Sequence, residues 1–176
     1  DYTQPGAYFV TIVAKDRQCL FGEIVDGAMG LSEAGEMIDT TWRELSEHYP
    51  GVASHDHIVM PSHVHCIIVL THVADAVGAG PCARPVSNDA TPGQPQGAAP
   101  TPISLPDVVH RSKSLTNSRY RHGIAACGWT PFRGTVWQRN YHDRVIRSDA
   151  ELVRVREYIA DNPRRWPGDP ERPRDG

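Results

Sequence analysis

Hydrophobic and polar positions alternate between two periods along this chain, one of about two residues and one of about 3.6. Ala7–Val13 (AYFVTIV) is dense in β-branched and aromatic residues and predicts a first strand, entered through the Pro5-Gly6 turn signal. Cys19–Val25 and Ala28–Leu31 flank Asp26-Gly27, a pair that favours a type I′ turn, and predict a small hairpin. From Ser32 the period lengthens. Ala34, Met37, Ile38, Thr41, Trp42 and Leu45 share one face of a helix that Ser32 caps and that runs to about His48. Tyr49-Pro50-Gly51 breaks the chain before a strand over Val52–Met60. Pro61-Ser62 then turns it back into a strand over His63–Leu70, so that these two strands form an antiparallel pair. His55 and His57, on the first of them, read as exposed strand polars.

Residues 71–103 lose both periods. Pro81, Pro85, Pro92, Pro95, Pro100 and Pro102 alternate with Gly, Ala and Ser, the composition of an extended insertion in a surface connection. Ser104 with Asp107 three residues later opens a second helix. Leu105, Val108, Val109, Ser112, Leu115 and Arg119 line one side, and Gly123 is the expected stop. Thr135–Ile146 predicts a strand with an irregular lead-in. Ser148 and Glu151 form a second capping box, for a helix with an apolar stripe of Leu152, Val155 and Ile159 that ends at Asn162 before Pro163. The last residues, 167–176, form a Pro/Arg-rich tail expected to fray. Residues 1–166 are thus a single α+β domain interrupted at 71–103.

Composition narrows the class. No apolar run approaches the length of a membrane span. The first residue is Asp1, read as a trimmed start, so a missing leader carries no information. Cys19, Cys66, Cys82 and Cys127 have no ligand-type spacing, and Cys66 lies mid-strand, which suits a reduced cytosolic protein. The net charge of −3 argues against a polyanion partner, but it is unevenly placed. Residues 1–104 carry 4 Lys+Arg against 12 Asp+Glu, and residues 105–176 carry 14 against 9. A basic C-terminal half is the footprint of a phosphate-binding face, or of a solvated helix surface; the basic helix after Ser104 fits either.

Candidate chemistry concentrates on the strand that starts at His63. Strand side chains alternate between faces, so His63, His65, Ile67 and Val69 share one side. Neighbouring imidazoles on one face can hold a divalent ion, although a His-x-His pair at a strand end is also a common polar edge. On the last helix Tyr158 and Asn162 are four residues apart and lie on one face. A Tyr there is also an ordinary packing residue, and an Asn before Pro an ordinary helix stop.

The order of MPSHVHCIIV, the basic KSLT helix (Lys113–Thr116), VWQRNYHDRVIR and REYIADNP resembles the REP-associated tyrosine transposases, within the single-tyrosine HUH transposases and nucleases; the opening YTQPGAYFVT and CLFGEI fit as well. The resemblance spans about residues 1–166. It implies a ferredoxin-like antiparallel sheet of four to five strands with helices mainly on one face. It implies that His63 and His65 bind Mg²⁺ or Mn²⁺ with Asn162, and that Tyr158 is the nucleophile for metal-dependent cleavage and transfer of single-stranded or hairpin DNA. Tyr141 is the internal rival for that role. Lys113, Arg139, Arg144, Arg147 and Arg165 are the candidate phosphate contacts, with Trp137 and Tyr141 as base-stacking platforms. The implied setting is a prokaryotic, nucleoid-associated cytoplasmic protein, monomeric or dimeric. A domesticated, non-catalytic DNA-binding protein on the same fold is the alternative, and a metal-dependent hydrolase unrelated to DNA is a third reading.

Overall fold

A computed structural model of the chain describes residues 4–71 and 103–173; the proline-rich insertion expected at 71–103 lies almost wholly outside the described residues. The main sheet has four strands: β1 (Gly6–Val13), β4 (Val52–Val59), β5 (His63–Leu70) and β6 (His142–Ile146), in the spatial order β4-β5-β1-β6 and antiparallel throughout. With α1 (Glu33–Arg43) between β1 and β4, and α3 (Leu105–Cys127) between β5 and β6, this is the βαββαβ arrangement of ferredoxin-like folds. Strands β2 (Gly22–Val25) and β3 (Ala28–Leu31) form the separate hairpin, turned by Asp26 and Gly27 at φ 51° and 74° as a type I′ turn requires.

Two layers cover the sheet. Tyr8, Val10, Ile12, Val64, Cys66, Ile68 and Leu70 project to one face and pack with Ile38 and Trp42 of α1 and Leu105, Val108, Val109 and Tyr120 of α3. The opposite face offers Phe9, Ile67 and Ile146 to Val155 and Ile159 of α4 (Asp149–Arg165). Strand β5 is therefore buried on both sides, which explains its unbroken apolar run and the burial of its two histidines.

The element ends show where local signals were overridden. The first helix breaks at Glu44 and resumes as a short turn, α2 (Leu45–His48). Ser32, Ser104 and Ser148 all cap as expected. Gly123 does not stop α3. It sits inside the helix, where a Cβ would strike the Trp129 ring, and the stop is Gly128 in the left-handed region at φ 71°. The expected strand over Thr135–Ile146 pairs regularly only from His142. The lead-in touches β1 through one bridge, Ala14 to Trp137. Helix α4 runs through the buried Pro163 to Arg165 rather than stopping at Asn162; the proline forgoes the hydrogen bond to the Ile159 carbonyl without ending the helix.

The tail also departs from expectation. Trp166–Gly168 is one turn of 3-10 helix, and Asp169–Arg172 folds back onto the Pro61-Ser62 turn, where Ser62 Oγ donates to the Glu171 carbonyl at 2.7 Å. The side chain of Glu171 is paired with Arg17 at 3.1 Å.

Candidate metal centre and nucleophile

The two-residue Pro61-Ser62 loop closes the β4–β5 hairpin through Met60 N–H to His63 O at 2.8 Å, and so fixes which face His63 and His65 occupy. Both are buried, at 0% and 4% exposure. Their Nε2 atoms lie 3.1 Å apart. Each Nδ1 has a hydroxyl beside it: Ser62 Oγ at 3.3 Å from His63, and Thr11 Oγ1 at 2.8 Å from His65. The Ser62 hydroxyl proton already goes to Glu171 O, so Ser62 is free to accept from His63 Nδ1–H. Assigning each imidazole proton to Nδ1 satisfies both hydroxyls and turns two Nε2 lone pairs toward one another. This is the tautomer of a metal-ligating histidine, fixed by the bond its other nitrogen makes.

Electrostatics keeps the pair neutral. Burial holds His63 down to about pKa 4, against a raising influence from Glu171 and Asn162. It holds His65 well below the usual imidazole range, with the neighbouring His63 adding to the effect. Two lone pairs facing at 3.1 Å repel unless a cation lies between them.

Two oxygen groups complete the set. Asp169 Oδ2 stands 3.8 Å from His63 Nε2, on a side chain 2% exposed. His63, His65 and Asp169 each present a donor atom within 4.8 Å of the others, a group able to hold a metal ion. Asn162, fully buried on α4, lies beside His63 and Tyr158, yet neither its Oδ1 nor its Nδ2 has a hydrogen-bond partner of good geometry. A buried amide left in this state costs about 1–3 kcal/mol. Coordination of Oδ1 to a cation relieves the acceptor's share of that cost, so the oxygen and nitrogen donors present fit a divalent ion.

Tyr158 stands over this cluster. Its hydroxyl is 3.5 Å from His65 Nε2, and its ring meets His65 and Phe9 edge-on at centroid distances of 5.3 and 5.9 Å. The Arg165 guanidinium lies 5.7 Å from the ring centroid. Burial and the Asp169 charge raise the phenol above its ordinary pKa, while Asn162 and Arg165 oppose the shift. Trp166 packs near His63, 6.1 Å between centroids. A cleft of about 310 Å³ opens beside the phenol, lined by Phe9, Thr11, His142, Asp143, Arg144 and Tyr158.

Of the residues singled out from sequence, His63, His65, Tyr158 and Asn162 come together here, with Arg165 at their edge and Arg144 in the cleft. Tyr141 does not. It packs toward the other core, beneath Lys113 Nζ at 5.4 Å. Trp137, expected to stack on bases, is 3% exposed and donates its Nε1–H to Thr116, so it is a core residue. Lys113, expected at phosphate, donates to the carbonyls of Gln138, Arg139 and Asn140 at 3.0–3.2 Å; an ammonium has three N–H groups, and these bonds engage them. Arg119 is likewise held by Glu44 and Thr41, and Arg121 by Gly134 O. The basic helix is thus largely an internal clamp. Arg139 and Arg147 are exposed, and Arg144 and Arg165 are exposed but paired with Glu151 and Asp161.

Three residues beside the histidines, Asp169, Thr11 and Ser62, are not singled out by the sequence pattern. Thr11 left a trace, as the one hydroxyl placed on the Phe9 and Val13 side of an apolar strand. Asp169 left none, since its role depends on where the tail folds.

A curated protein of Haemophilus influenzae, itself uncharacterized, is 30% identical to this chain over 169 residues, covering 96% of this chain and 86% of its own length. The chain belongs to that protein's family. No family model matches it. Among solved structures, the REP-associated tyrosine transposase bound to a REP hairpin superposes at TM-score 0.53, with 18% identity, over 94% of this chain and 70% of that one. This family member therefore has the fold of the REP-associated tyrosine transposases, as the order of its motifs implied. A Deinococcus radiodurans structure overlaps 90% of this chain and 91% of its own at TM-score 0.44 and 18% identity, too low to add to that.

Proposed function

We propose that this protein cleaves and rejoins single-stranded DNA at hairpin-forming sequences, with Tyr158 as nucleophile. The observation that carries the reading is the Tyr158 hydroxyl 3.5 Å from His65 Nε2, on the same helix that delivers the orphaned Asn162 amide to the same point. The solved relative in fold is bound to a REP hairpin, which supports a hairpin as the DNA partner.

His63, His65 and Asp169, with Asn162, would hold one divalent ion; when bound, it supplies positive charge for a phosphate oxygen in the transition state. The nitrogen donors favour Mn²⁺ over Mg²⁺, which prefers an all-oxygen set. Tyr158 attacks phosphorus to give a phosphotyrosine and a free 3′ hydroxyl. Another strand's 3′ hydroxyl reverses the step, so bond energy is kept and no nucleotide cofactor is needed. Arg144 lines the cleft, and Arg139 and Arg147 are open to solvent, so these three supply the phosphate contacts.

The test is a denaturing gel of the protein incubated with a single-stranded hairpin oligonucleotide and Mn²⁺. The wild type gives a covalent protein–DNA band, Tyr158→Phe gives none, and Tyr141→Phe retains it. Binding without any such band would make this a non-catalytic DNA-binding protein; hydrolysis without it would make it a hydrolase.

A further inference from the structure

Transfer from a 3′ oxygen to a tyrosine leaves one chemical need unmet by the residues above. The departing 3′ oxygen is a poor leaving group unless it is protonated as the P–O bond breaks. The group that does this must stand across the scissile phosphate from Tyr158, because entering and leaving oxygens lie in line.

His142 lines the same cleft as Tyr158, from a different element of the fold. It opens β6, and its register partner on β1 is Thr11, which is in turn the partner of His65 on β5. Residues opposite one another on neighbouring strands project to the same side. Thr11 Oγ1 touches His65 Nδ1, so His142, Thr11 and His65 form one row across the face that carries Tyr158. Tyr158 covers the His65 end of the row, against Phe9. His142 occupies the other end, beyond Thr11, and both line the same 310 Å³ cleft. Its imidazole has no hydrogen-bond or ionic partner among the described residues and is exposed.

The other lining groups do not serve. Thr11 is engaged with His65. Arg144 keeps its protons and is paired with Glu151 at 3.4 Å. Asp143 alternates with His142 and Arg144 along the strand, so its side chain starts from the opposite face.

We infer that His142 is the catalytic acid for the 3′ leaving group and the base for the incoming 3′ hydroxyl, an assignment that rests on the tyrosine-transfer reading above. In cleavage the Tyr158 O–P bond forms and the P–O3′ bond breaks. The electron pair of the broken bond stays on O3′, which takes a proton from the His142 imidazolium, and the phenol proton passes to solvent. In rejoining, neutral His142 removes the proton of the attacking 3′ hydroxyl as the P–O(Tyr158) bond breaks, and the phenolate regains a proton from solvent.

The experiment compares rates of covalent adduct formation, in Mn²⁺, on two otherwise identical hairpin oligonucleotides. One has the normal 3′ oxygen at the scissile phosphate; the other has sulfur there, which leaves as a thiolate without a proton. His142→Ala is expected to lose on the order of a hundredfold on the oxygen substrate and to recover to within a few fold of wild type on the sulfur substrate. Equal losses on both substrates, or no loss on either, would overturn the assignment. His142→Gln, which keeps polarity and bulk, must show the same oxygen-selective defect. Because the readout is a ratio within each protein, a partial folding defect does not mimic it. If wild type forms no adduct with either oligonucleotide, the tyrosine-transfer reading itself fails and His142 falls with it.

Discussion

Ser62 Oγ donates to the Glu171 carbonyl at 2.7 Å, so the C-terminal segment is pinned to the turn immediately before the first histidine of the site. That bond, with the Arg17–Glu171 ion pair, places the intervening Asp169 beside His63. The tail therefore lines the candidate centre, and its removal is a test of ligand identity.

Truncation after Gly168, or Asp169→Asn alone, is expected to weaken Mn²⁺ binding at least tenfold by isothermal titration. The point substitution should leave the melting temperature of the metal-free protein within a few degrees of wild type, since it keeps the volume of the side chain. Unchanged affinity in both variants would remove Asp169 from the ligand set and leave His63, His65 and Asn162.

Thr11 acts on the centre through His65 Nδ1. Thr11→Val keeps the shape of the strand but leaves that N–H without a partner and the tautomer unfixed. The expected result is a loss of about 10- to 100-fold in Mn²⁺ affinity, the usual cost of removing such a bond, with the covalent band restored at saturating metal. A variant that binds metal like the wild type would show that the Thr11 hydroxyl does not set the histidine.

The two buried imidazoles also make the metal-free protein acid-sensitive. Both are held below the ordinary value of 6.5, His63 to about 4, so in this window the unfolded chain binds more protons than the folded one. Stability is full above about pH 6.5 and declines as pH falls toward 4. The His63 contribution to that decline is on the order of 3 kcal/mol when complete. Urea unfolding in the presence of a chelator measures it. His63→Gln should flatten the pH slope of ΔG between those limits, and an unchanged slope would mean that His63 is not the titrating group.

Salt dependence separates the exposed cations from the structural ones. Arg139→Ala and Arg147→Ala should each reduce the slope of log K against log salt by about 1 for oligonucleotide binding. Trp137→Ala should instead destabilise the fold by about 3–5 kcal/mol, as expected for an aromatic truncated in a core. Lys113→Met should lower stability by releasing the Gln138–Asn140 carbonyls while leaving the slope unchanged. A reduced slope for Lys113→Met would return that residue to the DNA face.

The sequence by itself determined the strands, the serine caps, the face shared by His63 and His65, and the helix edge shared by Tyr158 and Asn162. Each is set by a period of two or 3.6 residues or by a cap within a few positions, and such signals are local. What only the tertiary structure decided depends on groups distant in the chain. Trp137 and Lys113 look like nucleic-acid contacts until α3 packs against the segment around 137–140, where Trp137 bonds Thr116 and Lys113 bonds the backbone carbonyls. Pro163 looks like a stop until its turn proves to be the helix's last. Asp169, 104 residues beyond His65, reaches the centre because Ser62 and Arg17 capture the tail, and His142 shares a face with Tyr158 because β1 lies between β5 and β6. No spacing rule encodes those meetings, since they follow from sheet order and from where the chain ends pack.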